Sequence, residues 1–243
     1  VCSLLFVGSY GAWAQNWEDQ FLAAFHQQDS LTQKQVLQQW EKAQPNNAEC
    51  MTMYYNYYLQ RAYREITQLT TEPPAGEYLE LRNEKGEVSG YMGTHVFYEA
   101  KPTHQAIAWL DRALKLYPNR LDIRFGKIYA LGLLQEWPSF TQTICEAIAH
   151  SKQINHQWLW KNNITVDDAA AFFAGSIQDY QVDLFNTQDE ELLNNVRTIA
   201  RQLLEQFPNH IESLSNIVVS YMYEHQFEQA LPYLEHALQA DPE

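Results

Sequence analysis

From residue 16 onward, apolar residues recur at intervals of three and four, and strand-like alternation is almost absent outside residues 77–92. Pro and Gly fall between the periodic blocks, so the blocks read as helices of about 12 to 20 residues joined by short links. Antiparallel pairs of such helices cannot bury an apolar face alone and must stack on their neighbours. The pattern predicts an all-α chain.

Stacking implies a repeat of fixed period. Ala106 to Asn119 (AIAWLDRALKLYPN) and Ala230 to Glu243 (ALPYLEHALQADPE) superimpose without a gap. The shared positions are Ala106, Leu110, Ala113 and Pro118 in one block, and Ala230, Leu234, Ala237 and Pro242 in the other. Small residues let a helix approach its neighbour closely, and Pro stops it by lacking the N–H that would continue the ladder. Pro208 to Pro242 is a step of 34 residues, and Ala113 to Ala147 is another. In period and in helix-turn-helix unit the chain resembles the tetratricopeptide repeat (TPR) family. The resemblance implies an α-α superhelix, a TPR-like solenoid over residues 15–243, and the residue pattern near 77–92 adds a small inserted β-hairpin.

The clearest copy is Ile211 to Pro242. Leu214, Ile217, Val218 and Tyr221 stand where the family places a large residue, Leu, a small residue and Tyr, and only Val218 departs from that pattern. A second copy, Leu121 to Lys152, keeps Ile144 and Ala147 but has Arg124 and Lys127 at apolar positions; a shifted register would turn Ile123, Ile128 and Leu131 inward instead. Asn16 to Ala43 reads as a degenerate first pair split at Gln28-Asp29-Ser30, with Ser30 and Gln33 as a capping box. At the other end the chain stops where a further repeat helix would begin, and more helices are expected beyond it.

Two stretches break the period. Between Pro118 and Pro208 the unit from Gln153 holds extra length, assigned to the link HQWLWKNNITVDD and a long helix from Val166 to Asn186. A helix from Asp189 to Phe207 follows, with Thr187 and Glu190 as its capping box. The other break is Thr70 to Gly93, between a long helix Asn47 to Leu69 and a helix Thr103 to Tyr117. Alternation through Tyr78 to Arg82, a polar Asn83-Glu84-Lys85-Gly86 turn and a return from Glu87 to Tyr91 predict the hairpin. A lone hairpin is unstable in water, so Tyr78, Leu79, Leu81 and Tyr91 are expected to anchor it on the helices.

Composition narrows the partners. The 243 residues hold 16 Lys+Arg against 30 Asp+Glu, a net charge of −14, with 46% hydrophobic residues. That is too apolar for disorder and too acidic for binding a phosphate backbone, and it gives no support for anionic lipid surfaces. Nucleic acid is excluded as a partner. Val1 to Gln15 carries no charge and ends in Ala12-Trp13-Ala14, the small-residue pattern that precedes signal-peptide cleavage. Residues 1–14 therefore read as the remnant of an export signal, which places the protein in the periplasm or outside the cell. The stretch is too short to span a bilayer, and no other segment qualifies as membrane-spanning. Removing it leaves Cys50 and Cys145, 95 positions apart, which read as free thiols rather than a disulfide framework.

No local catalytic or nucleotide-binding signature occurs. His150 with His156 and His225 with His236 lack the three- or four-residue spacing of helical metal ligands. Acidic clusters such as Glu18-Asp19 and Asp189-Glu190-Glu191 fall at helix starts, where they complement the dipole. The expectation is a non-enzymatic protein with no catalytic residues, metal or cofactor. Aromatic residues make up 14% of the chain, including Tyr54, Tyr55, Tyr57 and Tyr58 together and Trp158 and Trp160 in the long link. Tyr54, Tyr58 and Arg61 share one helical face, and Tyr55, Leu59 and Ala62 another. These rings either fill inter-repeat packing or form a platform for a peptide or a sugar.

In the family the first helix of each pair lines the concave groove where partners lie. By position this implies Phe125 and Tyr129 in one unit and Glu212, Ser215, Asn216, Val219 and Tyr223 in the last, with Tyr54 and Tyr58 as further candidates. Glu212 stands against a carboxylate clamp of the kind some members use. The reading is a protein-interaction scaffold of the bacterial cell envelope that binds a protein or peptide in its groove. The alternative is a helical-repeat protein that binds carbohydrate through exposed aromatics.

Overall fold

The structure, a computed structural model, describes residues 16–74 and 76–242, so the expected export signal at 1–14 lies outside the described residues. Ten α-helices are described: α1 (Trp17–His26), α2 (Ser30–Ala43), α3 (Ala48–Ala62), α4 (Ala100–Leu116), α5 (Leu121–Leu133), α6 (Trp137–Gln153), α7 (Ala169–Asn186), α8 (Leu193–Leu204), α9 (Ile211–Tyr223) and α10 (Phe227–Ala240). Helices pack on their sequence neighbours, except that α6 meets α8 across the irregular link to α7. The result is a row of five antiparallel pairs. Its apolar interior divides in the same order into an N-terminal cluster around Phe21, Leu37 and Trp40, a large central one, and a C-terminal one around Ile217 and Tyr221.

The small positions of the repeat lie where helices meet: Ala106, Ala113 and Ala147 are wholly buried, and Ala230 nearly so. In α5 the register is the shifted one. Ile123, Ile128 and Leu131 face the core, while Arg124 donates to the Pro118 carbonyl at 3.1 and 3.0 Å and Lys127 pairs with Asp111 at 2.7 Å. Neither expected capping box forms. Asp29, one residue earlier than expected, caps α2 by accepting from Thr32 N–H, which frees Gln33 to be buried and to bond Ala24 and Gln60. Thr187 turns back to the Leu184 carbonyl, and Asp189 caps the short 3-10 turn that leads into α8.

The inserted hairpin is larger than expected. The helix drawn from Asn47 to Leu69 ends at Ala62, and the chain continues as strand β1 (Tyr63–Thr70), followed by β2 (Tyr78–Arg82) and β3 (Val88–Tyr98) in the antiparallel order β1-β3-β2. β1 leaves the helix because β-branched Ile66, Thr67 and Thr70 suit a strand, and every residue of Tyr63–Thr70 finds a partner on β3. At the tip Asn83 Oδ1 accepts from Lys85 and Glu87 N–H, and Gly86, at φ +80°, closes the turn. The link from β1 to β2 crosses the sheet at Gly93, where a Cβ would stand 2.7 Å from Pro74 Cγ.

The four expected anchors do not bury the sheet on the helices. Tyr78 packs edge-on against Tyr91 at 5.3 Å and both Tyr78 and Leu79 stay exposed, while Leu81 and Tyr91 are half-buried. The sheet is an arm tied to the stack at its base: Glu99 N–H donates to the Ala62 carbonyl at 2.9 Å, and Arg64 forks onto the Glu99 carboxylate.

The second interruption holds a two-residue ladder of β4 (Leu159–Trp160) with β5 (Ile164–Thr165). β-branched Ile164 and Thr165 prefer that pairing to helix, and Asp168 takes a left-handed conformation at φ 44°. Helix α7 therefore starts at Ala169 rather than Val166. Trp158 is fully buried beside it, with its indole N–H on Ser151 Oγ at 3.0 Å and its ring 5.5 Å from Phe173.

Candidate functional site

Helices α5, α7 and α9 are the first members of three successive pairs, and a row of recesses runs along their C-terminal ends. One, of about 400 Å³, is walled by Tyr129, Leu133 and Trp137 from the α5–α6 side and by Asp183 and Asn186 from α7. The next, of about 270 Å³, lies between Leu184, Phe185, Glu190 and Tyr223. The third, of about 510 Å³, shares Glu190 and Tyr223 and adds Val219 and Met222. The chain turns sharply after α7, with Gln188 left-handed at φ 57°, and the turn puts Glu190 beside Tyr223 at the end of α9.

The row is apolar and acidic. Tyr129 is 51% exposed and Tyr223 60%, both large rings offered to solvent. Asp183, Asp189 and Glu190 supply the fixed charge, and neither Lys nor Arg is among the lining residues. Burial, then the neighbouring Asp179 carboxylate, holds the Asp183 carboxyl above its ordinary range. Beneath the row, buried and half-buried tyrosines fix the helices. Tyr55 donates to the Gly126 carbonyl at 3.0 Å, Tyr180 to that of Phe125 at 3.4 Å, and Tyr98, at the base of the arm, has its hydroxyl beside that of Tyr129. Burial pushes the Tyr55 and Tyr180 phenols upward, so they remain neutral.

Of the residues selected from sequence, the fold brings Tyr129, Val219 and Tyr223 into this row. Phe125 lies below it, half-buried against Phe173 and Tyr180. Glu212 and Ser215 are exposed on α9, but Asn216 is buried and donates to Gln178 at 2.6 Å. Tyr54 lies elsewhere: its ring is stacked flat on Trp109 at 3.9 Å, and its hydroxyl donates to Glu41. Tyr58 is half-buried, edge-on to Tyr57. Both faces of α3 are thus mostly core. Trp160 keeps part of its ring exposed beside Phe125 and Phe172. Sequence reasoning gives Asp183 and Trp137 no role and reads Glu190 only as a helix-start acid. The only signal for Asp183 is its spacing of four from Asp179, which puts both acids on one face of α7.

The histidines are engaged separately, His150 with Asn119, His156 with Ser151 and His236 with Asn209. Among the described residues no group of three His, Cys, Asp or Glu could hold a metal ion, and no helix is long and apolar enough to cross a membrane. Cys50 and Cys145 are free.

Neither a protein-family model nor a curated protein sequence matches the chain. Solved structures similar to it include a crystal structure of MamA protein, 12% identical over 93% of this chain and 90% of that one, with a TM-score of 0.45. Another is YrrB, described as a TPR protein with an unusual peptide-binding site, 12% identical over 93% of this chain and 86% of that one, with a TM-score of 0.43.

Proposed function

We propose that this protein is a non-enzymatic interaction scaffold that takes a peptide segment along the ends of α5, α7 and α9. The supporting observation is the row of three adjoining recesses whose exposed rings, Tyr129 and Tyr223, alternate with Asp183, Asp189 and Glu190 and with no lining Lys or Arg. Rigid tyrosine rings give contact area at little entropic cost, and the carboxylates select against an acidic ligand. The preferred ligand is a segment in which apolar side chains alternate with Lys or Arg. The exported location belongs to the same proposal and rests on residues 1–14 alone.

Fluorescence polarisation with labelled peptides tests the reading. Peptides of mixed Leu, Phe, Lys and Arg should bind, and their acidic counterparts should not. Tyr223→Ala and Tyr129→Ala should each weaken binding about tenfold. Equal binding of the acidic peptides would refute the charge argument. Binding of oligosaccharides in their place, lost in Trp160→Ala, would favour the carbohydrate alternative.

A further inference from the structure

The arm formed by β1, β2 and β3 has two unlike faces. On one, Pro74 covers Gly93, and Arg64, His95 and Glu80 break up the apolar Ile66, Phe97, Tyr78 and Tyr91 with polar and charged groups. The other face carries Tyr63, Leu69, Leu79, Met92, Val96 and Tyr98, with Leu69 and Leu79 both directly opposite Met92 on the central strand. Leu69 is 71% exposed and Leu79 62%. Large apolar side chains left this open to solvent on one sheet face mark an interaction surface.

We infer that this face is a self-association surface, on which the arm of a second copy of this chain packs sheet against sheet about a two-fold axis. Charge argues for that occupant. The chain carries a net charge of −14, so most of its surface repels another copy. Within the paired rows of this face the one ionisable carboxylate is Glu65, and it is engaged by the Tyr63 hydroxyl at 2.6 Å. Two copies can meet here without bringing like charges together. An acidic or nucleic-acid partner finds no opposite charge to pair with, and a basic one meets only Glu65.

Size and shape agree. The exposed apolar residues, with Thr67 and Thr94 between them, form one continuous patch of the kind that one side of a standard interface, about 800 Å² per partner, is built on. Sheets with apolar faces pack directly on one another, and a two-fold arrangement makes the same patch complementary to itself. An arm that stands off the stack also keeps the two acidic bodies apart.

Sedimentation equilibrium of the full chain tests the inference. The wild type should dimerise at micromolar concentration. Leu69→Glu/Leu79→Glu, on exposed positions and with an unchanged circular dichroism spectrum, should raise the dissociation constant at least about a hundredfold. The matching change on the exposed side of α10, Leu231→Glu/Leu234→Glu, should leave the dimer intact. Amide exchange in residues 63–98 of the wild type should slow as protein concentration rises. The inference is overturned if the wild type is monomeric throughout the micromolar range. It also fails if the arm variant dimerises like the wild type, if the α10 variant alone abolishes association, or if exchange in the arm is independent of concentration.

Discussion

Arg120 ties together three parts of the stack that are distant in sequence. Its guanidinium forks onto Asp122 at 2.8 and 2.8 Å, its third donor reaches Glu49 on α3 at 2.9 Å, and the same Glu49 oxygen accepts from Asn162 N–H at 2.7 Å. The Arg120 side chain is 1% exposed, against 12% for Glu49 and 15% for Asp122. Burial works against the guanidinium charge, but Asp122 and Glu49 together outweigh it and hold its pKa above the ordinary value. Arg120→Ala removes one side of a buried network and leaves two shielded carboxylates uncompensated, a loss of about 3–5 kcal/mol. In a chain of this length that lowers the melting temperature by roughly 6–20 °C. Arg64→Ala is the control: its pair with Glu99 is as short, at 2.7 Å, but both partners are more than 40% exposed, and it should cost under about 1 kcal/mol. Urea titration gives the totals. Because repeat stacks loosen unit by unit, amide exchange should place the Arg120→Ala loss at the start of α3, the start of α5 and residues 159–163. If Arg120→Ala costs no more than Arg64→Ala, the argument that burial converts this contact into stability is wrong.

Gly93→Ala puts a methyl 2.7 Å from Pro74 Cγ and should displace the crossover at a cost of about 1–3 kcal/mol, read as faster amide exchange in residues 63–98 with α5 to α10 unaffected. Asp183 has its folded pKa raised by burial and then by Asp179, so it opposes folding once the pH rises past its ordinary value, most fully above its raised one. Asp183→Asn should therefore be slightly more stable than the wild type at neutral pH and equal to it in strong acid, a difference that pH-dependent melts would register. A cationic peptide in the row favours the ionised carboxylate, so its affinity should rise with pH through the same window, and a flat profile would place the peptide elsewhere. Burial, then Glu41, pushes the Cys50 thiol up to about 12, and burial, then Glu146, pushes Cys145 up to about 11. Both should alkylate slowly at neutral pH in the folded protein and rapidly in denaturant.

Periodicity carried the helix pairs because each one buries a face whose spacing is local. The step of 34 residues was legible for the same reason, and even the irregular α5 could be read from Arg124 and Lys127 standing where a core position would need an apolar side chain. The end of α3 was not legible. Tyr63, Ile66 and Leu69 keep a spacing of three, so Tyr63–Thr70 continues the helical pattern of α3. What overrides it is pairing with Tyr91–Tyr98, about 20 to 35 residues further on. The site divided along the same line. Tyr129, Val219 and Tyr223 follow from their positions on first helices. Tyr54 was lost to a distant neighbour, Trp109, and Asp183 and Glu190 belong to the unit of irregular length, where no repeat position could be carried over.

The place of the arm follows from how little a paired-helix stack depends on its turns. Residues 63–99 separate α3 from α4, yet these two helices pack along their length as the members of a pair do. Closing a loop of that size costs about 3 kcal/mol in chain entropy if it is unstructured. Here the β1–β3 ladder closes it, since Tyr63 pairs with Tyr98 and Glu99 N–H bonds the Ala62 carbonyl, so the insertion leaves the pair one hydrogen bond from where it entered. The last pair makes the same turn with only Glu224, His225 and Gln226 between α9 and α10. Replacing residues 63–99 by such a turn should therefore leave the helical circular dichroism essentially unchanged while removing self-association. Collapse of the helical signal would mean instead that the arm holds α3 on α4, and that the stack is not modular at this joint.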